Sequence, residues 1–142
     1  MSKVDFYLIP GSGDIARQKF ACRLAEKAYK LKNRIHIHVA SQDCVRRLDD
    51  LLWTFRDGSF VPHEVLGASP GSPVSPITIG CGELPATECD LLINLGDIVP
   101  ERTVSFPRVA EVVTSDEDCK SLGRKRFVDY RDQGHTLDTH NL

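Results

Sequence analysis

Val4-Asp5-Phe6-Tyr7-Leu8-Ile9, then Pro10-Gly11-Ser12-Gly13, then Asp14 through Leu31: this opening decides the fold class. The first six residues are β-branched, aromatic or aliphatic at nearly every position, which predicts a strand. Proline and two glycines break it. Phe20, Leu24 and Ala28, with Ala21 and Ala25 beside them, then recur at helical spacing and predict a helix from about Asp14 to Leu31. Arg34 to Ala40 alternates Ile35, Ile37 and Val39 against His36 and His38, a second strand. Ser41 is placed to cap a second helix, with Asp43 favourably set in its first turn. Two strand–helix units in tandem imply a single α/β domain, residues 1–142, whose sheet is at least partly parallel.

Working outward, Val45, Leu48, Leu51 and Leu52 keep helical spacing, so Trp53, the only tryptophan, falls on the last turn of the second helix. After a turn at Asp57-Gly58, the apolar Phe60-Val61 stops at Pro62, which cannot donate to a sheet ladder. This segment is therefore an edge or an exposed extended stretch. An aromatic at a helix end beside Phe-Val-Pro suits a partner-binding patch, and equally suits two rings covering one edge of the core. Residues 67–76, rich in Gly, Ser and Pro, read as a mobile surface loop. Ile77 to Ile79 is a short strand, and Leu91 to Leu95 is continuously apolar, as a central strand covered on both faces should be. Gly96 to Pro107 is irregular, Val109 to Val113 reads as the last strand, and a helix from about Ser115 to Gln133 ends at Gly134. Residues 135–142 read as a C-terminal tail.

Charge and cysteine content narrow the function classes. A net charge of −2 over 142 residues leaves any polyanion binding to a local patch. No apolar run approaches the ~20 residues of a membrane span, and the start of the chain carries no signal-peptide pattern. Five cysteines without a C-x-x-C pair read as reduced thiols of a cytosolic protein, neither a disulfide nor a zinc framework.

Three candidate sites stand out. Gly11-x-Gly13-x-x-Ala16, between a strand and a helix, has the form of a dinucleotide loop. Asp14, however, puts a carboxylate where a pyrophosphate would sit, and no acidic residue closes the second strand. The alternative is a plain turn with an Asp cap. His36 and His38 share one strand face as a possible pair of metal ligands, with His63, His135 or His140 as a third. Without an evident third ligand, half-exposed strand histidines and no metal are the expectation. On the C-terminal helix, Ser115-x-x-Asp118 has capping-box form. Cys119, Leu122, Gly123, Arg126 and Tyr130 form its core side, where Arg126 must snorkel or find a carboxylate. Lys120, Arg124, Phe127 and Arg131 fall in a stripe about 60° wide. Cations flanking a ring suit an acidic group with an apolar anchor; the plainer reading is a solvated basic face paired along the helix. No arrangement calls for catalysis.

Taken together, several runs resemble the chi subunit of bacterial DNA polymerase III. They are Val4 to Leu8, Arg47-Leu48-Asp49 with Leu52-Trp53, Ser59-Phe60-Val61-Pro62-His63, Asp90 to Leu95, and Gly123-Arg124-x-Arg126-Phe127-x-x-Tyr130-Arg131. The resemblance implies a Rossmann-like, mostly parallel sheet flanked by helices, with no cofactor and no catalysis. It implies a cytoplasmic, replisome-associated adaptor that binds the psi subunit of the clamp loader and the acidic C-terminal tail of single-stranded DNA-binding protein, touching DNA only indirectly. By position, the psi-facing residues would be Trp53, Phe60, Val61, Pro62 and Val65. The tail-binding residues would be Val113, Lys120, Arg124 and Phe127, with Tyr130 and Arg131 nearby. Family members often carry Tyr where this chain has Phe127. A small nucleotide-binding enzyme using Gly11-x-Gly13 is the competing reading.

Overall fold

The computed structural model describes residues 2–55, 61–67, 75–82, 84–85, 89–101, 103 and 106–142. Its elements are β1 (Lys3–Leu8), α1 (Gly13–Lys30), β2 (Ile35–His38), α2 (Gln42–Thr54), β3 (His63–Val65), β4 (Ile77–Gly80), β5 (Leu91–Asn94), β6 (Arg108–Val113), α3 (Glu117–Asp132) and β7 (Thr136–Asn141). The strands form one seven-stranded sheet in the order β3-β4-β2-β5-β6-β1-β7. Every neighbouring pair is parallel. The fold is thus α/β and Rossmann-like, and more uniformly parallel than the sequence required.

Strand alternation sorts the side chains onto two faces. Ile35, Ile37, Ile77, Ile79, Ile93, Ala110 and Val112 meet Ala21, Cys22 and Ala25 of α1 and Val45, Leu48 and Leu52 of α2 in one core. Val4, Phe6, Leu92, Val109 and Val113 meet Tyr130 of α3 in the other. Ser41 caps α2 as its sequence position predicts, its hydroxyl accepting from Cys44 N at 3.3 Å. Gly134, at φ +86°, ends α3. The five cysteines are free, and burial pushes the Cys22 thiol up to about 12, where it is inert at neutral pH.

Three expectations are corrected. Val109 to Val113 is not the last strand: Thr136–Asn141 lies along β1, with Thr136 level with Lys3 and Asn141 with Leu8. Its polar, alternating sequence hides it because it is an edge strand with mostly exposed side chains. The helix expected from Ser115 begins at Glu117 with Asp116 as N-cap, so Ser115-x-x-Asp118 is no capping box; the Ser115 hydroxyl donates to Gly11 O at 3.1 Å instead. His36 is not half-exposed but fully buried, sharing a 2.7 Å hydrogen bond with Thr78 Oγ1. Of the loop expected over 67–76, residues 68–74 lie outside the described residues, as does Phe60.

Candidate functional site

The α3 half of the sheet is organised by a buried carboxylate. Glu111 projects from β6 at 0 % exposure and accepts from Arg126 Nε at 2.8 Å, Tyr130 OH at 2.7 Å and Asn94 Nδ2 at 2.8 Å. Arg126 therefore finds the carboxylate its core-facing position demanded, and its Nη1 reaches Asp97 O at 3.3 Å. Burial, with the Glu111 charge second, raises the Tyr130 phenol far above its ordinary range, so it remains a donor at any physiological pH. This network fixes the rotation of α3 on the sheet. Gly123 sets its distance: a Cβ there would lie 2.9 Å from Val113 Cγ2, so only glycine admits the close approach of helix to strand.

That seating leaves a cavity of about 670 Å³ between α3 and the carboxyl ends of β1, β6 and β7. Phe6, Leu8, Val113 and Phe127 supply apolar wall, with Lys120 and Arg124 among its lining cations. The Phe127 ring packs against Phe6 at 5.3 Å between centroids. Arg124 is exposed; Lys120 is partly so, its side chain 44 % exposed and 4.0 Å from Glu117. Four of the six residues singled out for the tail pocket thus converge on one concavity. The other two do not: Tyr130 is enclosed in the core, and Arg131 lies outside the cavity lining and pairs with Asp132 at 3.7 Å. Sequence reading missed Leu8, Pro10, Thr139, Asn141 and Leu142, which are also among the lining residues. Those on β7 had no legible signal, whereas Gly123 in mid-helix was a sign of close packing.

At the far edge of the sheet, Trp53 ends α2 at 47 % exposure with its ring 4.4 Å from that of His63 on β3. His63 Nδ1 lies 2.7 Å from Val61 O, and its Nε2 3.0 Å from Asp49 Oδ1, tying the strand to the helix. Pro62 and Val65 are partly exposed nearby, but Val61, at 1 %, belongs to the core.

The glycine loop is tied off by the chain itself. Gly13 N donates to Asp116 Oδ2 at 2.7 Å, Ser115 N donates to Gly11 O at 3.0 Å, and Thr114 Oγ1 donates to the same Asp116 oxygen at 2.8 Å. The Gly13 bond, then the Thr114 hydroxyl, holds the Asp116 carboxyl below its usual range. So the anion position at the start of α1 is filled by Asp116, not by Asp14 as its place in the sequence suggested. Arg17 closes the crevice beyond, donating to Val112 O at 2.8 Å and Leu95 O at 2.9 Å across the ends of β6 and β5. Its guanidinium pKa is lowered, first by burial and then by Arg126.

Comparison with known proteins finds relatives along nearly the whole chain. Residues 1–138 match the family model described as DNA polymerase III chi subunit, HolC. The DNA polymerase III subunit chi of Pseudomonas aeruginosa is 39 % identical, covering 100 % of this chain and 98 % of that protein. Its namesake in Haemophilus influenzae is 30 % identical over 96 % of this chain and 95 % of that protein. The Escherichia coli protein of the same name is 28 % identical over 98 % and 97 %. The chain belongs to the family of DNA polymerase III chi subunits, accessory subunits of the replicative polymerase complex.

Proposed function

We propose that the protein is a cytoplasmic two-sided adaptor of the replisome. One side, around Trp53, Pro62 and Val65 with Phe60 beside them in sequence, takes the psi subunit. The other, the α3 cavity, takes the acidic C-terminal tail of single-stranded DNA-binding protein. The observation that carries the reading is the cavity itself, where Val113 and Phe127 offer an apolar slot and Lys120 and Arg124 line the same concavity. A peptide of acidic residues ending in Phe needs that pairing: a cation for its carboxylates and a slot for its ring. Arg124 supplies a planar fork for bidentate contact and Lys120 a second charge one turn earlier.

Isothermal titration with such a peptide tests it. Exposed cations are screened, so affinity is on the order of micromolar and falls as salt rises. Arg124→Ala weakens binding by ~1.5–3 kcal/mol, the range for a hydrogen bond to a charged group. Deleting the terminal Phe nearly eliminates it. An undiminished Arg124→Ala variant, or a naked single strand that displaces the peptide from the cavity, would defeat the proposal.

A further inference from the structure

We infer that the outer edge of β7 belongs to the α3 site, and that the acidic tail adds to it as a further parallel strand; the inference rests on the tail reading proposed above. Thr136 N donates to Ser2 O at 3.1 Å, and Leu142 N donates to Leu8 O at 3.0 Å. Bonding residues alternate along a parallel ladder, so the even-numbered residues of β7 face β1. The amides and carbonyls of Leu137, Thr139 and Asn141 therefore point outward, away from the sheet. The side chains of the same three residues lie on the α3 side: Leu137 packs against that core, and Thr139 and Asn141 line the cavity. Strand geometry thus sets open backbone donors and acceptors along the cavity rim. The edge also lacks the usual guards against pairing. Its register with β1 runs unbroken from Thr136 to Asn141, and its sequence holds neither lysine nor proline. Its one carboxylate, Asp138, alternates onto the opposite face and lies 3.4 Å from Lys3.

Charge and direction choose the occupant. Among the described residues lining the cavity there is no acidic side chain, whereas Lys120 and Arg124 are both present. Arg131 continues their helical stripe about 10 Å further along α3, its side chain 63 % exposed. The helix runs antiparallel to the strands: its start is held at the carboxyl end of β1, where Asp116 accepts from Gly13 N, and its end delivers Thr136 to Ser2. A peptide lying parallel to β7, its terminal ring in the slot, brings its terminal carboxylate towards Lys120 and Arg124. At about 3.3 Å per residue, the residue three places upstream comes level with Arg131. An acidic stretch so placed meets cations along its length, and Arg131 gains a role that the cavity alone denies it. Val128 and Leu142, apolar lining residues left 39 % and 62 % exposed, are the surface such a strand would cover. In strand addition the main chain supplies affinity and alternate side chains supply specificity.

Isothermal titration of the whole protein with a synthetic acidic peptide ending in Phe, N-methylated at one amide at a time, provides the test. An added strand turns every second amide towards its neighbour, so methylation should weaken binding about tenfold at alternate positions and hardly at all between them. Thr139→Pro removes an outward N–H and no bond to β1, a position where an edge strand tolerates proline. It should bind the unmodified peptide about tenfold more weakly at an unchanged melting temperature. In the parent protein, amide exchange at Thr139 and Asn141 should slow when the peptide binds, a readout that decides the matter should the proline unfold the strand. A peptide that binds and responds to Arg124→Ala, yet shows no alternation and no protection at Thr139 and Asn141, would leave the tail reading standing and overturn the added strand. A peptide that does not bind at all would overturn the tail reading and this inference with it. A dimer at titration concentrations that Thr139→Pro dissolves would assign the edge to a second copy of the chain, and so overturn the inference too.

Discussion

The two edges of the sheet are built to opposite plans. At the β7 edge, α3 stands over the strand ends and leaves a concavity whose walls cannot shift without disturbing the Glu111 network beneath. At the β3 edge α2 packs beside the strand and the indole of Trp53 lies outward on its last turn, held from behind by His63. Six strand spacings separate them, about 29 Å. A concave, cation-lined seat suits a peptide that brings its own charge and ring. An outward aromatic suits a partner that supplies the pocket. An adaptor needs both kinds, far enough apart that one occupant does not displace the other.

The largest effect should come from removing the anchor of the first edge. Glu111→Ala leaves Arg126 charged and unpaired in the core and strands Tyr130 OH and Asn94. Losing one partner of a buried ion pair costs ~3–5 kcal/mol. Urea denaturation should show that loss, with peptide binding abolished because α3 is no longer seated. A variant of near-parental stability would mean that α3 is held by its apolar face alone.

Next in size is a crossed pair of interface substitutions. Trp53→Ala should cost ~2 kcal/mol or more in psi binding, as truncated aromatic hot spots do, and leave the tail peptide's affinity unchanged. Arg124→Ala should do the reverse. Each variant should stay folded, since both side chains are at least half exposed or nearly so. If either substitution weakens both partners, the edges are coupled and the separation drawn above is wrong.

How much of this was legible in the sequence follows from what each residue's neighbours do. β1, β2, β4, β5 and β6 could be read because strands covered on both faces must be apolar, and α2 because one face of it must be. β7 could not: Thr136-Leu137-Asp138-Thr139-His140-Asn141 lies at an edge, and it is stabilised by register with β1 and by contacts such as His140 Nε2 to Asp5 Oδ1 at 2.9 Å. Arg126 announced that a carboxylate was required, yet nothing in the pattern chose Glu111, which is fifteen residues back in a strand. The cations and ring of the α3 cavity were visible as a helical stripe. The depth of the cavity was not, because it depends on Gly123 and on a strand the sequence concealed. His36 misled for a similar reason: alternation put it opposite the isoleucines, but that face is covered too.

His36 also gives the next effect, on stability rather than binding. Burial, with the nearby His38 second, lowers its pKa from 6.5 to about 3, so the folded protein keeps it neutral while the unfolded chain protonates it. Below pH 6.5 the unfolded state binds more protons, and stability falls as pH falls until about pH 3. Between pH 6.5 and 5 this one group should cost about 2 kcal/mol. Denaturation midpoints across that window should show the slope. His36→Asn, which keeps an amide for Thr78 Oγ1, should flatten it. A slope unchanged by that substitution would assign the acid sensitivity to other groups.

The smallest expected effect is none at all, and it concerns the place between the two edges where related folds bind nucleotides. The carboxyl ends of β5 and β6 are bridged by Arg17, and the first amide of α1 is taken by Asp116. A phosphate arriving there must displace a carboxylate already bonded to both Gly13 N and Thr114 Oγ1, and must do so beside Asp14. ATP or NAD should therefore leave the melting temperature unmoved. A nucleotide bound at 100 times its dissociation constant would add ~2.7 kcal/mol, which a thermal melt resolves easily. Asp116→Asn makes the experiment sharper. It removes the competing charge but keeps an oxygen for Gly13 N, so the loop holds its shape while the anion position loses its occupant's charge. If the parent binds no nucleotide and the variant gains affinity for phosphate, Asp116 is what turned a nucleotide-type loop into a brace between α1 and α3. If the parent itself shifts with ATP, the crevice is open and the adaptor-only reading fails there first.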